Sequence, residues 1–124
     1  MSLTNTASDE LREILTEYCY FKSDSSDDIE RVKELLTKVS EDLRYELLSL
    51  ITDDYRNTVL TLAAYRGHTE LCVTLLSSLS PADRLKLILV NKRTALHRAA
   101  YRGYTEAVSG ILNCLTAEQQ LQLL

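Results

Sequence analysis

The chain has 124 residues, 45% of them apolar, and a formal net charge of −4. That length fits one domain, of which roughly two thirds of the unfolded surface can be buried on folding. No apolar run approaches the ~20 residues of a membrane-spanning helix, no basic-then-apolar leader opens the chain, and the acidic balance argues against a reader of the phosphate backbone, which needs a basic face.

One Pro and three Gly leave little room for the turns of a β-sandwich, so an all-helical chain with tight connections is expected. The first predicted helix covers 9–21, with Leu11, Ile14, Leu15 and Tyr18 on one stripe. Residues 22–28 connect it to a second helix at 29–36, with Asp27 and Glu30 at its N-terminal cap. Asp24, Asp27 and Asp28 lack the central Gly and closing Glu of a calcium loop, so capping is the better reading of that acidic run. Residues 40–48 form a third segment.

From residue 58 the chain repeats itself. Residues 58–88 match 94–124 at an offset of 36, with 13 of 31 positions identical, including Ala63-Ala64-Tyr65-Arg66-Gly67 against Ala99-Ala100-Tyr101-Arg102-Gly103. In each copy an apolar stripe (Leu60, Ala63, Ala64; Leu96, Ala99, Ala100) makes a first helix. A glycine, Gly67 or Gly103, can then take the left-handed conformation that closes its end. The second helix carries Leu71, Cys72, Leu75, Leu76 and Leu79 in one copy and Ala107, Val108, Ile111, Leu112 and Leu115 in the next. Gly110 sits inside that helix at a cost of about 1 kcal/mol relative to Ala. A third helix is predicted at 81–89 and 117–123. Ser80-Pro81-Ala82-Asp83 and Thr116-Ala117-Glu118-Gln119 supply its start signals. Residues 29–36 and 40–48 align with this plan at an offset of 40. There Arg31 and Lys33 replace Leu71 and Val73, as suits a polar capping unit at the end of a stacked array. Residues 1–50, 51–89 and 90–124 thus read as a capping unit and two repeats of one domain.

The run Thr94-Ala95-Leu96-His97, followed by Ala99, Ala100, Gly103 and Glu106, resembles the ankyrin repeat, as do Thr58, Leu60, Ala63, Ala64, Gly67, His68 and Glu70. The resemblance implies an all-α solenoid of stacked helix-turn-helix units, here with an extra short helix per unit. It departs from the family pattern in three ways. Val59 and Ala95 replace the family's Pro, Thr61 replaces its His in one copy, and the third helices replace its longer loop. Shortened or re-aimed fingers are therefore expected. His97 matches the family's structural histidine, which implies hydrogen bonds to nearby backbone and to Thr94 rather than catalysis.

Three kinds of chemistry find no support. A Gly-rich phosphate loop, H-E-x-x-H and G-x-S-x-G are absent from the sequence, so no enzyme is expected. His68, His97, Cys19, Cys72 and Cys114 show no metal-ligand spacing, so no metal or cofactor is expected either. The odd number of cysteines, with no C-x-x-C, points to a reducing, cytoplasmic compartment. The resemblance extends to proteins that intracellular bacteria deliver to a host, for which that compartment is the host cytosol.

What remains is a binding surface. By the resemblance, partner contacts fall on residues before the Thr and after Ala-Ala: Tyr55, Asn57, Tyr65 and Arg66 in one copy, Arg93, Tyr101 and Arg102 in the next. Tyr and Arg are also the residue types most enriched among binding hot spots. The expected partner is another protein, with no role for nucleic acid or membrane. The competing reading is architectural. In it the chain caps a longer ankyrin protein, its tyrosines pack across the seam between repeats, and its arginines are solvated. The sequence stops within a third helix with no polar unit after it. This leads to the expectation of a fragment of a longer protein, or of self-association through that end.

Overall fold

The computed structural model describes residues 3–21, 26–52, 56–90 and 95–123; of residues 3–5, 19–21 and 26–28 it describes the backbone alone. Among the described residues there are nine helices and no named strand. They fall into three triplets: α1 (Leu3–Phe21), α2 (Ser26–Lys38) and α3 (Glu41–Leu50); α4 (Val59–Tyr65), α5 (Thr69–Ser77) and α6 (Pro81–Ile88); α7 (Ala95–Arg102), α8 (Thr105–Asn113) and α9 (Ala117–Gln122). The all-α repeat architecture expected from the sequence is the one observed. The first helix begins six residues earlier than its apolar stripe predicted. The second helix begins at Ser26, so Asp27 lies inside it and not at the cap expected for a start at residue 29.

Local chemistry sets the helix limits. The buried hydroxyl of Thr58 accepts from Thr61 N at 3.2 Å and lies 3.2 Å from the Thr61 hydroxyl. That cap fixes the start of α4 without the family's proline. At its end Gly67 has φ 75°, its N–H donates to Ala64 O at 3.1 Å, and His68 N–H donates to Ala63 O at 2.9 Å. Gly103 repeats the geometry at φ 77°, with bonds from Gly103 N to Ala100 O and from Tyr104 N to Ala99 O, both 3.0 Å. This paired closure satisfies the last carbonyls and reverses the chain within three residues. Ser80 caps α6 through Asp83 N, and Thr116 with Gln119 forms a full capping box on α9.

Packing follows from the small residues. α4 lies against both α1 and α7, while α5 lies between α2 and α8. First and second helices therefore form two layers, and α3 against α6 extends a third row. Ala63, Ala64 and Ala99 are fully buried, so no bulky side chain holds α4 away from α7. Gly110 has the same function in the second layer. A Cβ there would stand 3.1 Å from the methyls of both Thr69 and Val73 on α5. The helix accepts the propensity cost of glycine because α5 and α8 meet at that point. Leu60, Leu75, Leu76, Ile88 and Ile111 belong to one core cluster that runs through all three units, with Leu96 packed against it.

The third helices do more than fill space. Arg44 on α3 donates to Val39 O and to Ser78 O, both at 2.9 Å. Arg84 on α6 donates to Leu76 O at 2.8 Å, Leu79 O at 3.0 Å and Cys114 O at 3.1 Å. Each guanidinium thus satisfies carbonyls at the end of its own unit's second helix and one at the end of the next. Gln120 holds the same place on α9 and reaches Leu112 O at 2.7 Å, within its own unit. Gln119 adds a bond from α9 to Pro81 O on α6, at 2.7 Å.

Before α4, Thr52 and Thr58 form an isolated antiparallel bridge, and Arg56 has φ 65°. Residues 53–55 and 91–94, where the fingers are expected, lie outside the described residues.

Candidate protein-interaction surface

The first helices and the turns after them carry the sequence-predicted residues. Tyr65 ends α4, half-buried, with its ring facing α7. The Arg102 guanidinium carbon sits 4.9 Å from the centre of that ring and the Arg98 guanidinium carbon 5.9 Å. Both distances suit cation–π attraction. Arg102 also lies 5.8 Å from the Tyr104 ring centre, and its Nη2 donates a long bond of 3.5 Å to the Tyr104 hydroxyl. That bond, with the nearby Tyr65, pushes the Arg102 pKa above the ordinary guanidinium value.

Arg66 behaves differently. It is half-buried, donates to the Tyr18 carbonyl on α1 at 2.7 Å, and lies 5.2 Å from the centre of the Tyr18 ring. Tyr18 and His68 share a hydrogen bond, their rings edge to face at 5.4 Å. In both seams, then, an arginine of one unit covers an aromatic ring of the unit before it. Asn57 accepts from Arg98 Nη2 at 3.4 Å, while Arg98 Nε is buried with no hydrogen-bond partner among the described residues. Tyr101 projects from α7 with 86% of its surface exposed. Tyr65, Asn57 and Arg102 are thus brought together across the α4–α7 seam. Arg66 faces α1, and Tyr55 and Arg93 lie outside the described residues.

Arg98, Tyr104, Tyr18 and His68 were missing from the sequence-based set. Arg98 stands where the other copy has Leu62, and Tyr104 where it has His68. These departures between copies were the available signal. His97 is exposed, and its expected partner Thr94 lies outside the described residues. Cys72 is buried and its thiol is pushed up to about 12 by desolvation, with Cys114 nearby adding to the shift. Cys114 is raised as well, chiefly by burial. Neither is the low-pKa thiol that nucleophilic chemistry needs. No group of His, Cys, Asp and Glu able to hold a metal occurs among the described residues. No helix there is long and apolar enough to cross a membrane.

A stack of helix-turn-helix units that bury their apolar faces only on one another is a repeat-protein scaffold. The chain belongs to the ankyrin repeat family: a family model of three ankyrin repeats matches residues 21–122. The match begins at the last residue of α1, so nearly all of that helix precedes it. Ankyrin repeats are generally protein-interaction modules and typically non-enzymatic scaffolds. No curated protein and no solved structure matches the chain.

Proposed function

We propose that this chain is a non-enzymatic interaction module that docks another protein through its first helices and turn tips. It would use Tyr55, Asn57, Tyr65, Arg66, Arg93, Tyr101 and Arg102, on one domain divided at 1–50, 51–89 and 90–124. The observation that carries the reading is Tyr101. A tyrosine 86% exposed contributes little to folding, yet its large amphipathic ring is well suited to a partner. The free cysteines Cys72 and Cys114 support a reducing, cytoplasmic setting.

The test is a titration of a purified partner against wild type and single alanine variants, with a thermal midpoint for each. Tyr101→Ala is expected to weaken binding about ten-fold or more while leaving the midpoint within a degree or so. Unchanged affinity for Tyr101→Ala and Arg102→Ala together would overturn the assignment.

Two observations favour a second, architectural reading. Arg66 and Tyr65 are both engaged in seam contacts. On the outer side of the last triplet, Leu96, Val108 and Leu112 are only partly covered, whereas their counterparts Leu60, Cys72 and Leu76 are buried; Leu121 is 68% exposed. Self-association through that face would raise the mass measured by light scattering as concentration increases. A constant monomer mass would remove it.

A further inference from the structure

The charges of this acidic protein are strongly segregated. Residues 1–55 hold fourteen Asp and Glu against six Lys and Arg, whereas residues 56–105 hold two against eight. Residues 91–105 contain Lys92, Arg93, Arg98 and Arg102 and no acid at all. Four cations elsewhere find carboxylates: Arg31 pairs with Glu10 and Glu34, Lys33 with Glu30 and Glu70, Lys38 with Glu34, and Lys86 with Asp83. Arg44, Arg66 and Arg84 are bonded to backbone carbonyls. Arg98 and Arg102 differ. Their partners are Tyr65, Tyr104 and Asn57, and among the described residues neither pairs with a carboxylate.

Arg98 and Arg102 stand one turn apart on α7, and both guanidinium groups flank the Tyr65 ring. Like charges at that spacing repel, which costs the helix stability. The aromatic faces hold them in place, yet most of their N–H donors have no partner among the described residues. Two guanidinium groups held on aromatic faces, with no carboxylate partner among the described residues, are a preformed receptor for two carboxylates, each able to take paired hydrogen bonds. Residues at i and i+4 of a helix lie about 5–6 Å apart. In an extended peptide, residues i and i+2 share a face about 7 Å apart. Exposed Tyr101, on the same helix, offers a ring beside them.

Deepening the interaction reading above, and resting on it, we infer that Arg98 and Arg102, backed by Tyr65 and Tyr104, form a clamp for an extended acidic segment of a partner protein. That segment carries Asp or Glu at alternate positions. Charge complementarity selects it: the clamp is the part of the described surface where cations are gathered without acids.

The experiment selects binders from a random peptide library displayed against the 124-residue chain, then measures selected peptides by fluorescence polarisation. Enriched peptides are expected to carry alternating acids. Their glutamine isosteres are expected to bind at least about ten-fold more weakly, and higher salt should weaken binding further. R98Q/R102Q should lose binding to a similar degree with an unchanged circular dichroism spectrum, and R98K/R102K, which keeps the charge, should retain part of it. Inorganic phosphate should not displace the peptide; displacement would mark an undiscriminating anion site and overturn the inference. Peptides with no acidic preference, or with affinity indifferent to R98Q/R102Q, also overturn it. If those peptides are still lost on Tyr101→Ala, the interaction reading survives its failure. If they ignore both changes, or no peptide is enriched, both readings fall.

Discussion

Gly67 and Gly103 close equivalent helices with nearly the same φ, 75° and 77°, yet their surroundings differ. A Cβ on Gly67 would stand 2.9 Å from the Tyr104 ring, while one on Gly103 would meet nothing within 4 Å. Alanine at either site carries the left-handed backbone penalty of roughly 1–2 kcal/mol. Only Gly67→Ala adds a clash, worth about 1–3 kcal/mol more. Urea denaturation should rank Gly67→Ala clearly below Gly103→Ala, and equal losses would contradict the seam packing. Cys72 offers a pH test. Its thiol ionises near 9 in a free chain and is pushed up to about 12 in the fold. A raised folded value means that its contribution to stability is complete below pH 9 and drains away between 9 and 12, as the unfolded state alone loses the proton. Cys72→Val should therefore lose less stability than wild type over that range, by denaturation at successive pH values. At this scale the glycines and the Tyr–Arg ladder were legible because the two copies repeat them. The Arg66–Tyr18 contact was not, since its other half sits 48 residues upstream in the helix that has diverged most.

Among the elements, the third helix is the unit's distinctive part. Arg84 donates three bonds to carbonyls at the ends of α5 and α8. Arg84→Ala removes a donor from all three acceptors, of which Leu76 O keeps its backbone bond from Leu79 N–H at 3.1 Å, and should cost about 1–3 kcal/mol. Gln120→Ala, which frees carbonyls within a single unit, should cost less. Chemical denaturation of both variants decides the order, and a larger loss for Gln120→Ala would refute the bridging function of Arg84. The existence of these helices could be read from Ser80-Pro81 and Thr116 with Gln119, because capping is written in adjacent residues. The bridge could not. Arg44, Arg84 and Gln120 align at the fourth residue after each cap, but a polar residue on a short helix reads as solvated until the neighbouring helix ends are known. The early start of α1 was equally hidden, because residues 3–8 are mostly small and polar, with only Leu3 and Ala7 to extend the apolar stripe. Gly110 showed its cost in the sequence, whereas its cause, the methyls of Thr69 and Val73, belongs to another helix.

For the whole molecule, stacking and binding draw on the same residue types in different places. The core passes through all three units, and arginine–aromatic contacts tie unit to unit at both seams. What the seams leave uncovered, Tyr101 and the outward side of Arg102, is the most exposed part of the proposed recognition surface. Fold class was readable because periodicity and caps are local properties of the chain. The surface was readable only by position, because which tyrosine is covered depends on the neighbouring unit. The most direct measurement of the stacked arrangement is a nuclear Overhauser spectrum of the 124-residue chain, read at the α4–α7 seam. Strong cross-peaks between the Gly67 α-protons and the Tyr104 ring, and between the Tyr65 ring and the Arg102 side chain, are the predicted result. A folded, helical protein in which both sets are missing would contradict it.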